Sequence, residues 1–139
     1  MTLLVDTSVW SLAFRRDSPP DSPEVAELRE ALAGSDSVVT TGVIVLELLR
    51  GFPPAEVRQR LRERLERIPW LEPSRADYVA AAGLSNTCRP AGVQLGTVDA
   101  VIAQLAIAHH ATLLTADRDF VVASAHIPLR VWAPSGWTT

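Results

Sequence analysis

The stretch from Thr97 to Ala108 constrains this chain more than any other. Val98, Val101, Ile102, Leu105 and Ile107 or Ala108 recur at helical spacing, which predicts a buried helix. Gly96-Thr97 reads as its start, with Thr97 as the cap. One charge, Asp99, interrupts the run. A carboxylate in a first turn is favourably placed against the helix dipole, and that is one reading. The other is that Asp99 faces a cavity that takes a cation. Three more isolated acids, Asp6, Glu47 and Asp117, bear on the choice.

At 139 residues the chain has the size of one ordinary domain, expected over residues 1–139. Hydrophobic residues make up 47% and charged residues 21%, a balance that builds a core and argues against disorder. The net charge of -3 means that the molecule as a whole does not attract nucleic acid. Such a site must be a local arginine patch or use bridging cations. All 13 basic residues are arginine. Without lysine, Walker-type phosphate loops and Schiff-base chemistry are excluded. Cys88 stands alone, so no internal disulfide forms and a reducing cytoplasm is the expected setting. The first residues lack the basic start and long apolar run of a secretory signal, and the 97–108 run is too short to span a bilayer. No membrane association is expected.

Leu3-Leu4-Val5 predicts a short buried parallel strand that ends at Asp6. Asp6-Thr7-Ser8 offers capping oxygens to a helix running through Phe14. Asp6 thus stands at the carboxyl end of a strand, the edge where open α/β sheets bind ligands; a plain helix cap is the other reading. Asp17 to Pro23 reads as a polar, proline-rich loop. A helix opens at Pro23-Glu24, continues through Leu32 and ends near Gly34. Val38-Val39 is a second strand. Thr40-Thr41-Gly42 then begins a helix over Val43 to Arg50, stopped by Gly51. Glu47 lies there among large apolar residues, with Arg50 three places on. An ion pair between the two is one reading. A functional carboxylate is the other, because a charge amid Leu and Ile is costly without a partner or a task.

Pro53 to Ile68 is a charged helix in which Arg58, Arg60, Arg62, Arg64 and Arg67 alternate with Glu56, Glu63 and Glu66. This is a solvated face with salt-bridge spacing, and some of its arginines could reach phosphate. Trp70-Leu71 is extended, a helix covers about Arg75 to Thr87, and Arg89 to Gly92 is a loop. Beyond the 97–108 helix, Ala111 to Thr115 predicts a buried strand. Asp117 repeats the situation of Asp6, just past a strand at a helix start. That helix runs to about Ala125, and Leu129 to Trp132 is a last strand. The alternation predicts an α/β fold with a central, mostly parallel sheet and helices on both faces.

In a parallel sheet the strand ends point to one edge. Asp6, Glu47, Asp99 and Asp117 converging there would raise one another's pKa values unless cations were present. Hard oxygen ligands without cysteine or histidine suit Mg²⁺, with Mn²⁺ as a substitute, rather than zinc. Such a site orients and acidifies a water and stabilises a leaving oxygen, the chemistry of phosphodiester hydrolysis.

Val5-Asp6-Thr7-Ser8-Val9-Trp10, Glu47 in its apolar helix, Leu95 to Ala103 and Ala111 to Phe120 resemble the PIN-domain ribonucleases. The subgroup they resemble is the VapC-type toxins of toxin–antitoxin pairs. The resemblance spans nearly the whole chain, and the order and spacing of the four acids match. It implies a three-layer α/β/α PIN-like fold and a Mg²⁺-dependent endoribonuclease. Asp6, Glu47, Asp99 and Asp117 would be the acidic site, with Asp6 and Asp99 as direct metal ligands. Ser8 and Thr115 match hydroxyl positions beside it, and Asp119 matches an additional acid of some members. The resemblance also implies an RNA substrate, a VapB-type antitoxin whose tail blocks the site, and a homodimer. Trp10, Phe14 or Trp137 could serve either interface or pack in the core.

Two other readings stay in view. One is a catalytically silent module that acts through protein contacts; it predicts a missing acid, and none is missing. The other is a DNA nuclease, since the same site can cut either polymer. An acid-nucleophile phosphatase is disfavoured, because Ser8 stands where its second acid belongs and the chain has no lysine.

Overall fold

The computed structural model describes residues 1–15, 22–52 and 54–134. Four strands form one sheet: β1 (Thr2–Val5), β2 (Ser37–Thr41), β3 (Trp70–Leu71) and β4 (Thr112–Leu114). Their order is β3-β2-β1-β4, and each pairing is parallel. Leu4 of β1 stands opposite Val39 on one side and Leu113 on the other. β1 is therefore central. Its Leu3, Leu4 and Val5 are fully buried, as expected of a strand covered on both faces. From β1 the chain builds outward through β2 to β3, then returns to lay β4 on the opposite side. That reversal makes the β1/β4 boundary the topological switch point, where open α/β sheets hold their ligands.

Seven α-helices connect the strands among the described residues: α1 (Thr7–Phe14), α2 (Pro23–Ala33), α3 (Gly42–Gly51), α4 (Ala55–Glu66), α5 (Arg75–Cys88), α6 (Thr97–Ala108) and α7 (Arg118–Ala123). α2 begins with proline at its first turn and the Ser22 hydroxyl accepting from the Val25 N–H. α5 begins with a reciprocal capping box between Ser74 and Asp77. α6 is the predicted central helix, but its buried residues wrap most of its circumference: Ala100, Val101, Ile102, Ala103, Leu105 and Ala106. Val98 and Ile107 are only partly buried and Ala108 is exposed. No helix among the described residues is long and apolar enough to cross a membrane.

Several expectations shift. Gly96, not Thr97, caps α6; its carbonyl accepts from the Ala100 N–H at 2.8 Å, so Thr97 is already helical. Gly51 ends α3 as its last helical residue, with Phe52 as the cap. The charged helix starts at Ala55 and stops at Glu66, shorter than predicted; its predicted start at Pro53 lies outside the described residues. Residues Arg89–Ala91 form a 3-10 turn rather than an irregular loop. The predicted last strand, Leu129 to Trp132, shrinks to one bridge between Val131 and Leu113. It is an apolar run closed in by Pro128 and Pro134, which limits how far a ladder can extend. Trp10 is fully buried, so it belongs to the core and not to an interface. Phe14 is partly buried against that core, with its ring 6.3 Å from that of Trp10. Trp137 and most of the predicted 17–23 loop lie outside the described residues.

Candidate active site

Asp6 leaves β1 directly into α1, and its N–H bonds the Leu114 carbonyl of β4 at 2.9 Å. The backbone there is already spliced across the switch point. Asp6 is the cap residue of α1 by position, yet its side chain makes no capping bond. Its Oδ2 instead accepts two hydroxyls, Ser8 at 2.8 Å and Thr115 at 2.9 Å. The plain-cap reading of Asp6 is thus not realised. With only 5% exposure, the carboxylate is held in place by donors from two elements. Thr115 is equally buried, and its hydroxyl oxygen also accepts the Asp117 N–H at 3.0 Å. Ser8 in turn accepts the Ala116 N–H at 3.0 Å. These bonds tie the first turn of α1 to the loop that follows β4.

Glu47 projects from α3, and its partner is Thr7, whose hydroxyl donates to Oε1 at 2.7 Å. No ion pair between Glu47 and Arg50 exists among the described residues. Arg50 is exposed, and Glu47 is half-buried toward α1. Spacing alone left this choice open, since residues three apart on a helix can meet or diverge. Thr7 is a site-lining residue that sequence reading passed over. Its signal was present: a hydroxyl immediately after Asp6, at the mouth of the strand.

Asp99 is half-buried in the first turn of α6. Burial, and after it the charges of Asp6, Asp117, Glu47 and Asp119 in that order, together push its carboxyl up to about 6. The favourable field of the helix N-terminus does not outweigh them. Asp117 combines both of its predicted readings. It caps α7, with Oδ1 accepting the Asp119 N–H at 2.9 Å, and it presses electrostatically on Asp99. Asp119 is exposed and acts on Asp99 more weakly. The four acids, with Asp119 beside them, therefore share one electrostatic neighbourhood.

The donor set is all hard oxygen. Among the described residues, however, no three His, Cys, Asp or Glu side chains are arranged so that they could hold a metal ion by themselves. A cation taken up here would have to keep most of its waters and use only one or two carboxylates, the habit of Mg²⁺. The residues present fit such an ion.

Residues 3–125 match the PIN domain family. The chain is 32% identical over 122 residues to the VapC ribonuclease Mb1587 of Mycobacterium bovis, covering 86% of this chain and 90% of that protein. Ribonuclease VapC11 of Mycobacterium tuberculosis matches to the same extent. Among solved structures, VapBC2 from Rickettsia felis, bound to a DNA fragment from its promoter, superposes with a TM-score of 0.73 at 23% identity, covering 95% of this chain and 98% of that one. FitAcB from Neisseria gonorrhoeae gives 0.65 at 26%, covering 97% and 99%. The α/β architecture with its parallel sheet is the one these structures share, and the chain belongs to the PIN-domain family, among the VapC ribonucleases.

Proposed function

We propose that this chain, acting as one domain, is the endoribonuclease toxin of a type II toxin–antitoxin pair, with its acid centre at Asp6, Asp99, Glu47 and Asp117. The observation that carries the reading is the convergence on Asp99. Acids from three other stretches of sequence raise the Asp99 carboxyl together, at the switch point of the sheet. Relatives named as VapC ribonucleases support RNA as the substrate, and the VapBC2 structure supports a VapB-type antitoxin as the partner; a homodimer is part of the same proposal.

Asp6 and Asp99 would hold Mg²⁺ or Mn²⁺, with Glu47 and Asp117 adding negative charge beside them. When bound, the cation lowers the pKa of the attacking water and offsets charge on the leaving oxygen. The chain's own groups do the positioning. The Ser8 and Thr115 hydroxyls hold the Asp6 carboxylate in place. Thr7 holds Glu47 toward the centre. Asp117 is fixed by its own capping bond, with Asp119 carried on the same turn.

The test is cleavage by purified protein freed of any antitoxin, offered RNA and DNA in parallel. RNA should be cut with Mg²⁺ or Mn²⁺, spared in EDTA and spared by Asp99→Asn. Undiminished activity in chelator would sink the metal reading. Preferential cutting of DNA would make it a DNA nuclease. Failure on both polymers would leave a binding module. Mapping cleavage of total RNA after brief induction, wild type against Asp99→Asn, would then locate the target.

A further inference from the structure

A cavity of about 350 Å³ opens beside the acid centre, walled by Val121, Val131, Trp132 and Pro134. Thr115 and Asp117 line it as well, so one of its walls is the rim of the acid centre itself. Glu24, from the first turn of α2, and Arg118, from the first turn of α7, supply its other polar edges. Nothing in the hydrolysis uses Trp132, Glu24 or Arg118.

We propose that this cavity binds the base of a nucleotide next to the bond being cut in single-stranded RNA, stacked on Trp132. The proposal rests on the nuclease reading above. Its volume lies near the lower end of the range in which proteins hold small organic ligands, roughly 300–1,000 Å³, which admits one base and not a duplex. Trp132 is partly buried against the core, and its backbone N–H donates to the Leu113 carbonyl at 2.9 Å. The main chain that carries the ring is thus anchored to the same strand that delivers Thr115. A partly buried indole lining such a cavity is an effective, sequence-tolerant stacking platform for an unpaired base.

Charge decides between base and phosphate as the occupant. Glu24 and Asp117 both border the cavity and repel an anion there. Carboxylates are instead good acceptors for the exocyclic amino groups of adenine, cytosine or guanine. Ser22 donates to Glu24 Oε2 at 3.4 Å, a weak bond that leaves acceptor capacity on that carboxylate. Arg118 is exposed at the rim, where the phosphate linking this base to the cut site would pass. Because Thr115 and Asp117 line both the acid centre and the cavity, a nucleotide next to a scissile phosphate at the acids can reach the cavity directly.

The test compares wild type, Trp132→Leu, Trp132→Phe and Arg118→Ala on two RNA hexamers, one intact and one lacking the base beside the cut. Binding is read by fluorescence anisotropy in EDTA, and cleavage in Mg²⁺. Wild type should bind the intact hexamer roughly ten- to a hundredfold better than the abasic one. Trp132→Leu should lose that preference, raising KM with kcat nearly unchanged, while Trp132→Phe should keep most of it. Arg118→Ala should weaken both hexamers alike. Melting curves show whether Trp132→Leu is folded; if it is not, the intact-to-abasic ratio of wild type and of Trp132→Phe still decides. Equal affinity of wild type for the two hexamers, or an unchanged ratio in folded Trp132→Leu, overturns the proposal and leaves the cavity to another occupant such as a peptide. A base-dependent ratio without cleavage of RNA upholds the subsite and removes the nuclease reading instead.

Discussion

The Thr115 hydroxyl donates to Asp6 Oδ2 at 2.9 Å, joining residues 109 positions apart. It links the exits of two neighbouring parallel strands and at the same time accepts the Asp117 N–H. Replacing it by valine keeps the shape and removes both bonds in a buried setting. Thr115→Val should therefore lower stability by about 1–3 kcal/mol, several degrees of Tm, and lower cleavage as Asp6 loses its orientation. Thr115→Ser should stay close to wild type. Thermal melts of the pair check this; a Thr115→Val variant that melts with wild type would mean that Ser8 alone suffices.

The strand-helix alternation and the four acids were legible because each rests on local pattern: short apolar runs that end at an acid, and lone charges in apolar helices. Pairings that depend on register were not. Leu129 to Trp132 has the composition of a strand, but only Val131 finds a bridge partner, and nothing local announces that. Glu47 shows the same limit, since Arg50 was visible at helical spacing and Thr7 lies 40 positions away. Asp6 and Asp117 were each readable as caps from their positions. Only tertiary structure separates them: hydroxyls from two elements claim the Asp6 side chain, while Asp117 does cap its helix.

Asp99 should make the metal-free fold sensitive to pH. Its carboxyl is raised from 3.8 to about 6, so between those values the folded chain binds more protons than the unfolded one. Stability from this group is fully present below the lower value, is lost as pH rises toward the upper one, and stays lost above it. Asp99→Asn removes the effect. In EDTA at pH 7 the variant should be more stable than wild type, with the difference closing as pH falls to about 4. Should the variant be the less stable of the two at pH 7, the contribution of Asp99 to the helix start outweighs the repulsion.

Cation binding should reverse that penalty. Millimolar Mg²⁺ or Mn²⁺ should raise the wild-type Tm, because a ligand that binds only the folded state stabilises it by about 2.7 kcal/mol at a hundredfold excess over Kd. The rise should shrink in Asp99→Asn and in Asp6→Asn. Calcium at the same concentration controls for general screening of surface charge. A wild-type melt indifferent to both Mg²⁺ and Mn²⁺ would remove the cation from the centre.

Glu47 offers the sharpest separation of site from scaffold. Glu47→Gln keeps the length of the side chain and an amide oxygen that can still accept the Thr7 hydroxyl, while deleting the charge. Loss of that charge relieves repulsion on Asp99, so the metal-free fold should be no less stable than wild type. Cleavage should nevertheless fall by orders of magnitude, because the electrostatic support of the centre is gone. Arg50→Ala, at an exposed position with no ion pair to Glu47, should change stability by less than about 0.5 kcal/mol and leave cleavage largely intact. Thr7→Val tests the link between them. It leaves Glu47 charged but unfastened, and should reduce cleavage less than Glu47→Gln does. Melting and RNA cleavage measured side by side on the three variants decide the matter. Full activity in Glu47→Gln would take Glu47 out of the centre and leave Asp6, Asp99 and Asp117 to do the chemistry.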